Sequence, residues 1–134
     1  MIVESSDEVG APDLTPSLLV THIALNMTLE EYLDERERSP FGEWFARLDA
    51  PAAAKVTVAL ARMAAGNLSN VEPVGEGVSE YKIDFGPGYR LYFGRDGKAL
   101  VILLAGGTKK RQQGDIDTAK SLWAAYKARK KGKG

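Results

Sequence analysis

The stretch 78–93, which reads VSEYKIDFGPGYRLYF, decides the fold that we predict for this chain. Two runs rich in β-branched and aromatic residues flank the tripeptide GPG, a pattern typical of a β-hairpin with its turn. Because side chains alternate between the two faces of a strand, one face of this hairpin is apolar and the other is charged. The apolar face has Ile83, Phe85, Tyr89, Leu91 and Phe93, and the opposite face has Glu80, Lys82, Asp84, Arg90 and Tyr92. The sequence therefore predicts a sheet that holds two cations, Lys82 and Arg90, close together on its open face.

Upstream of the hairpin, residues 39–67 predict two helices joined by a short break. Ser39 is a good N-cap and Pro40 suits the first helical position. The apolar positions of this helix recur at helical spacing and predict a core-facing stripe of Phe41, Trp44, Phe45 and Leu48. After the DAP break at 49–51, the apolar residues Val56, Leu60 and Met63 mark a second helix, which ends at Gly66-Asn67. Two helices so closely connected form an αα-hairpin.

Downstream of the hairpin, residues 95–98 (RDGK) predict a second turn, and 99–105 (ALVILLA) predict a strand buried on both faces. We expect Gly106-Gly107 to end that strand. Asp115 is predicted to open a last helix with one apolar face, formed by Ile116, Ala119, Trp123 and Tyr126. The final residues 127–134 (KARKKGKG) are expected to fray.

These elements predict an α+β fold in which the αα-hairpin packs on one face of a three- to four-stranded antiparallel sheet, with a C-terminal helix. The other face of the sheet is expected to remain free for a partner. Residues 28–31 (TLEE) fit a helical capping box and an alternating strand equally well, and residues 71–74 fit a loop or a short strand. We divide the chain into an acidic extension (1–27), a single domain (28–130) and a basic tail (131–134). Within the extension, residues 20–27 suggest a short strand that contains His22 as a structural histidine.

Composition limits the possible classes of protein. The 134 residues are 44% hydrophobic and 27% charged, which is typical of one soluble globular domain. We find no apolar run long enough to span a membrane and no secretory signal. Cysteine is absent and histidine occurs once, which excludes thiolate metal sites and histidine clusters. We therefore expect a cytoplasmic protein without membrane contact, metal or cofactor.

The net charge of zero conceals a segregation of charge along the chain. Residues 1–50 hold eleven acidic and three basic side chains, whereas residues 51–134 hold seven acidic and fifteen basic ones. This asymmetry suggests a basic surface for a polyanion, although solvated charged surface explains it equally simply.

Five cations are candidates for such a surface. Lys82 and Arg90 lie on the hairpin, and Lys109, Lys110 and Arg111 follow the buried strand, whose end a meander places beside the hairpin. Preorganised cations stabilise the phosphorane formed when an RNA 2′-hydroxyl attacks its own phosphate. Glu80 or Asp84 is a candidate base for that attack. The same charges also fit ordinary cross-strand ion pairs, Glu80 with Lys82 and Asp84 with Arg90.

Four segments resemble the addiction module killer proteins, which are HigB-like toxins of the RelE/ParE superfamily in bacterial type II toxin–antitoxin systems. The segments read FGEWFARLD (41–49), GNLSNV (66–71), GVSEYKIDFGPGYRLYF (77–93) and LLAGGTKKRQQGDI (103–116). The resemblance covers about residues 28–130. It implies a compact microbial-RNase-like fold, ribosome-dependent mRNA cleavage, and neutralisation by a cognate HigA-like antitoxin with a helix-turn-helix.

The resemblance also assigns roles to individual residues. Lys82 matches a lysine that contacts RNA, and Lys109 matches the basic residue after the buried strand. Arg90 matches the arginine that acts on the scissile phosphate in this family. Asp84 stands where RelE-type toxins have a second lysine, and their late catalytic arginine and tyrosine fall on or near Gln112 and Ile116. Arg111 is the candidate replacement for that arginine. The predicted catalytic residues are therefore Arg90, Lys82, Arg111 and Glu80, and the predicted RNA-binding residues are Lys82, Arg90, Lys109, Lys110, Arg111 and Gln112. A non-cleaving protein of the same fold is the alternative, either a gyrase inhibitor of the ParE type or an attenuated toxin.

Overall fold

The computed structural model describes residues 26–133. Residues 1–25 of the predicted acidic extension, with His22 and all but the last two residues of the strand predicted over 20–27, lie outside this range. Within it, Met27 packs on the core, and its backbone N–H donates to the carbonyl of Ala64 at 2.7 Å. The packed domain thus includes Met27 at its N-terminal end.

Five strands, three α-helices and one 3₁₀ turn follow one another along these residues. In chain order they are β1 (Thr28–Glu31), α1 (Pro40–Ala46), α2 (Ala50–Ala64), β2 (Val71–Gly75), β3 (Val78–Ile83), β4 (Tyr89–Asp96), β5 (Leu100–Thr108), the 3₁₀ turn Lys109–Arg111 and α3 (Gln112–Lys133). The prediction of an α+β domain is confirmed.

The sheet has five strands in the order β1-β5-β4-β3-β2. Strands β2 to β5 form the predicted antiparallel meander, but β1 pairs in parallel with β5, with Thr28 opposite Leu100. The prediction of a three- to four-stranded antiparallel sheet is therefore wrong: the sheet is mixed. Residues 28–31 are a strand because the backbone of β5 offers them hydrogen bonds that no local signal reveals.

Helices cover both faces of the sheet. The αα-hairpin of α1 and α2 packs on the face that carries Tyr81, Leu91 and Phe93. On the opposite face, α3 packs its apolar residues Ile116, Ala119 and Trp123 against a second cluster on the sheet, formed by Val78, Tyr92, Ile102 and Leu104. The expectation of one face left free for a partner is wrong, because that face carries enough apolar side chains to hold a helix. Near Lys82 this face retains an open pocket.

Local signals determine the start of both helices of the αα-hairpin. The side chain of Ser39 accepts a hydrogen bond from the N–H of Gly42 at 2.8 Å, and Pro40 occupies the first turn of α1. Asp49 caps α2 in the same way, by accepting from Ala52 at 2.9 Å. The aromatic stripe of α1 is core as predicted, since Phe41 is buried and its other members pack around it.

Side chains packed on the sheet explain why β5 does not stop at its glycines. A Cβ at Gly106 would overlap the ring of Trp44, and a Cβ at Gly107 would overlap the carboxylate of Asp115 on the other face. Gly94 of β4 makes room in the same way for Trp123, whose ring would lie 2.5 Å from a Cβ at that position. A bulge on β5 places Leu104 and Ala105 on the same side of the sheet and restores the alternation after them. The prediction that Gly106-Gly107 ends the strand is wrong, because these glycines make room for side chains packed on the sheet.

The basic C-terminal segment is helical up to Lys133, so the prediction that it frays from residue 127 is wrong. Contacts with the sheet end and with the β1–α1 connection hold it in place. Arg129 donates to the carbonyl of Leu33 at 2.7 Å, and Lys130 donates to Asp96 at 2.6 Å. None of the helices formed within residues 26–133 has the combination of length and apolarity needed to cross a lipid bilayer.

The packing at Gly94 leads to a stability prediction. We expect Gly94→Ala to lower the free energy of unfolding by about 1–3 kcal/mol, because the added Cβ displaces the buried ring of Trp123. Gly114→Ala is the matched control: nothing lies within 4 Å of its Cβ position in α3, so it should stabilise by about 0.5–1 kcal/mol. Urea denaturation measures both, and a Gly94 variant as stable as the parent would contradict the packing.

Candidate functional site

An open pocket of about 430 Å³ lies at the end of the β3–β4 hairpin, beside the start of the 3₁₀ turn. The hairpin turn and the 3₁₀ turn are joined by a hydrogen bond from the N–H of Lys109 to the carbonyl of Gly88 at 2.8 Å. The strand register sets Lys82 directly opposite Arg90. The connection between α2 and β2 closes the third side. Three parts of the chain that are distant in sequence thus form one pocket.

The pocket is lined mostly by polar and charged side chains. Its three cations are Lys82, Arg90 and Lys109, its two carboxylates are Glu72 and Asp84, and Ser69 and Asn70 add neutral polar groups. Lys110 and Arg111 do not line it and are exposed on the 3₁₀ turn. The pocket therefore contains three of the five cations that the sequence suggested for a basic surface.

Lys82 is engaged by a carboxylate within the pocket. Its Nζ lies 2.6 Å from Oε1 of Glu72, on the neighbouring strand β2. The hydrogen bond from Lys82, followed by the positive charge of Lys82, holds the pKa of Glu72 below its usual value. Both side chains are substantially exposed, so solvent screens this pair and it adds little to stability. An anion entering the pocket would compete with Glu72 for Lys82.

Arg90 differs from Lys82 because it is buried. Only 8% of Arg90 and 1% of Glu80 is exposed, and Nε of Arg90 lies 3.6 Å from Oε1 of Glu80. The same Oε1 accepts a hydrogen bond from Nε2 of Gln112 at 2.8 Å. The expectation that Arg90 lies on an open face is wrong: α3 begins at Gln112 and covers it. The cross-strand pairs suggested by the sequence are replaced by Glu72 with Lys82 and Glu80 with Arg90.

Two further polar side chains, Tyr92 and Asp115, lie near this ion pair. Burial, and then the nearby Glu80 carboxylate, raise the pKa of Tyr92 above its usual value, so its hydroxyl stays protonated. Burial also raises the pKa of Asp115, and the charge of Arg111 partly offsets that effect. Neither Oδ2 of Asp115 nor the Tyr92 hydroxyl has a hydrogen-bond partner. Within residues 26–133, no three His, Asp or Glu side chains come together as a possible metal site.

Ser69, Asn70 and Glu72 were not among the predicted site residues. A weak signal for the first two exists in the sequence NLSN, because Asn followed by Ser two positions later favours a turn closed by the Asn side chain. That turn is present: Oδ1 of Asn67 accepts from the Ser69 N–H at 3.2 Å and from its hydroxyl at 2.8 Å. No local signal places Glu72 near Lys82, since the pairing of β2 with β3 decides it.

The Glu72–Lys82 pair leads to a binding prediction. We expect Glu72→Gln to tighten the binding of inorganic phosphate by about 2- to 5-fold at low salt, because Lys82 loses its internal competitor. Glu76→Gln is the matched control, since Glu76 pairs with Lys120 at 3.4 Å outside the pocket. NMR titration of the wild type and both variants measures the dissociation constants. Equal affinity in all three proteins would mean that Glu72 does not compete.

Comparison with known proteins gives one informative relative. The chain is 40% identical over 83 residues to an uncharacterized protein of Haemophilus influenzae, and the matched region covers 61% of this chain and 84% of that protein. No family model matches the chain.

Proposed function

We propose that this chain, which belongs to the same family as the Haemophilus influenzae protein, is a toxin of the HigB type within the RelE/ParE superfamily. It acts as a ribosome-dependent endoribonuclease that cuts mRNA and thereby inhibits translation. Its partners are the ribosome, mRNA and a cognate antitoxin with a helix-turn-helix.

One observation carries the proposal: two segments of the resemblance, GPGYR (86–90) and GGTKK (106–110), meet in the pocket. GPGYR contributes Gly88 and Arg90, and GGTKK contributes Lys109, whose N–H donates to the carbonyl of Gly88. Three of the six predicted RNA-binding residues, Lys82, Arg90 and Lys109, line a single polar cavity. A cavity lined by Lys and Arg suits a phosphate group, since both neutralise its charge and Arg offers paired donors.

The chemistry is an in-line transesterification. The 2′-hydroxyl of one nucleotide gives its proton to a base and attacks the adjacent phosphorus, and the bond to the 5′-oxygen breaks. That oxygen takes a proton from solvent water, so the products end in a 2′,3′-cyclic phosphate and a 5′-hydroxyl. Negative charge accumulates on the phosphorane, where Arg90, Lys82 and Lys109 stabilise it more than they stabilise the ground state.

The base that removes the 2′-hydroxyl proton is assigned to Asp84. Glu80 was also a candidate, but it is 1% exposed and does not line the pocket. Asp84 lines the pocket and is exposed to solvent at the end of β3. A base must come within hydrogen-bond reach of the proton it takes, and Asp84, unlike Glu80, is accessible to a substrate in the pocket.

Induced expression in a bacterial host tests the proposal. We expect growth arrest, with new 5′-hydroxyl ends within translated mRNAs, and rescue by co-expression of a cognate helix-turn-helix antitoxin. Cleavage of mRNA programmed on purified ribosomes, but not of free mRNA, is the biochemical counterpart. Normal growth together with intact mRNA would refute the proposal.

A second candidate is a non-cleaving binding module of the same fold, such as a gyrase inhibitor of the ParE type or an attenuated toxin. The observation that favours it is the presence of Glu72 and Asp84 beside the three cations, which lowers the positive charge available to a phosphate. Growth arrest without cut mRNA, accompanied by loss of DNA supercoiling activity, would select a ParE-type inhibitor.

A further inference from the structure

Glu80 and Arg90 are the buried charged side chains of residues 26–133. Burying two charges is expensive, and apolar residues of similar volume often replace a buried ion pair without loss of stability. Both clusters of this protein already contain many large apolar side chains, including Phe93, Leu91 and Leu104. The buried pair is therefore better explained by what Arg90 does at the pocket than by what the core requires.

The contacts of Glu80 show which end of Arg90 is held. Oε1 of Glu80 lies 3.6 Å from Nε, the guanidinium nitrogen nearest the main chain, and Nε has no hydrogen-bond partner. At the other end, Nη1 of Arg90 lies 3.8 Å from the Cβ position of Gly88, a residue of the pocket wall. The Glu80 carboxylate thus lies on the side of the guanidinium that is away from the pocket. The terminal nitrogens of Arg90 lie on the pocket side.

Gln112 fixes the carboxylate in turn. It is the first residue of α3, and its amide donates to the same Oε1 at 2.8 Å. Because α3 packs on the sheet through Ile116, Ala119 and Trp123, Gln112 links the helix to the ion pair. A carboxylate oriented by an amide is a preorganised support, which the charge alone would not provide.

We propose that Glu80 and Gln112 are positioning residues for Arg90: Glu80 orients the guanidinium toward the pocket, and Gln112 orients Glu80. When a phosphate binds the terminal nitrogens of Arg90, the unpartnered Nε–H donates a hydrogen bond to Glu80. Glu80 takes no proton from the substrate. The consequence for RNA cleavage rests on the proposed function, whereas the consequence for phosphate binding does not.

The first test observes Arg90 directly, by the ¹⁵N–¹H signal of its Nε in uniformly labelled protein. In the wild type we expect a resolved signal that shifts on titration with inorganic phosphate. In Glu80→Gln and Gln112→Ala, we expect the signal to broaden through exchange with water and the phosphate affinity to fall. Gln113→Ala is the matched control, because Gln113 is exposed and bonds only to Asp117 at 3.0 Å. An Arg90 signal unchanged in both Glu80→Gln and Gln112→Ala would overturn the proposal.

The second test separates a positioning role from a structural one by steady-state cleavage on ribosomes. We expect Glu80→Gln to lower kcat by about 100-fold and Gln112→Ala by about 10-fold, with a smaller rise in KM, because a misplaced Arg90 loses more contact with the transition state than with the bound phosphate. The acidic limb of the pH–rate profile should remain in Glu80→Gln, since Glu80 is not the base. Loss of that limb would overturn the assignment. If the wild type cuts no mRNA, the proposed function fails, while the Arg90 signal and phosphate titration still decide the positioning role.

Discussion

Arg90→Ala should unfold the protein at a much lower temperature, with a loss of about 3–5 kcal/mol in the free energy of unfolding. The reason is that the substitution leaves the carboxylate of Glu80, 1% exposed, without its counter-charge. Loss of toxicity in this variant alone would therefore say nothing about catalysis. Thermal denaturation by circular dichroism measures the effect.

Arg90→Met combined with Glu80→Gln separates stability from function. The double variant removes both buried charges and keeps a side-chain oxygen for the amide of Gln112, so we expect most of the lost stability to return. It should fold and yet arrest neither growth nor translation, because the pocket lacks its guanidinium. Lys82→Ala is the control for the exposed pair, and its Tm should stay close to that of the wild type. A folded double variant that still arrests growth would exclude Arg90 from catalysis.

The parts of the fold that depend on residues close together in the sequence were predicted correctly. The β3–β4 hairpin, its alternation of faces and the capping of α1 by Ser39 all follow from signals within a few residues. The signals failed where a distant partner decides the structure. The segment TLEE is a strand because it pairs with Leu100–Leu103, and Gly106 continues a strand because Trp44 needs the space beside it.

The same distinction applies to the candidate site. The sequence identified Lys82, Arg90 and Lys109, since two of them alternate with apolar residues in the hairpin and the third follows the buried strand. The sequence alone does not show which of these cations are free to bind a ligand, because that depends on the side chains that pair with them in the fold. Glu72 reaches Lys82 through the pairing of β2 with β3, and Gln112 reaches Glu80 through the packing of α3. Charged residues on a strand predict an exposed face, but here α3 covers part of that face.

Asp84→Asn should lower kcat for ribosome-bound mRNA by on the order of 100-fold, since a positioned base contributes about 10²–10⁴-fold. Asp84 is the exposed carboxylate of the pocket that no cation engages among the ion pairs of residues 26–133. The amide has the shape of the carboxylate but cannot take a proton. KM should stay the same or fall, because one negative charge is removed from a pocket that binds a polyanion.

The opposite result for Asp84 is equally informative, because its charge also opposes phosphate binding. If Asp84 serves only as a negative charge near the cations, Asp84→Asn will raise the cleavage rate, and Asp84→Lys will raise it further. Asp117→Asn is the matched control: Asp117 is an exposed carboxylate on α3 outside the pocket, and its replacement should leave kcat and KM unchanged. Single-turnover cleavage at several pH values completes the test. A base at Asp84 requires that the acidic limb of the wild-type profile disappear in Asp84→Asn, whereas an electrostatic role requires that the limb persist while the whole profile moves to higher rates.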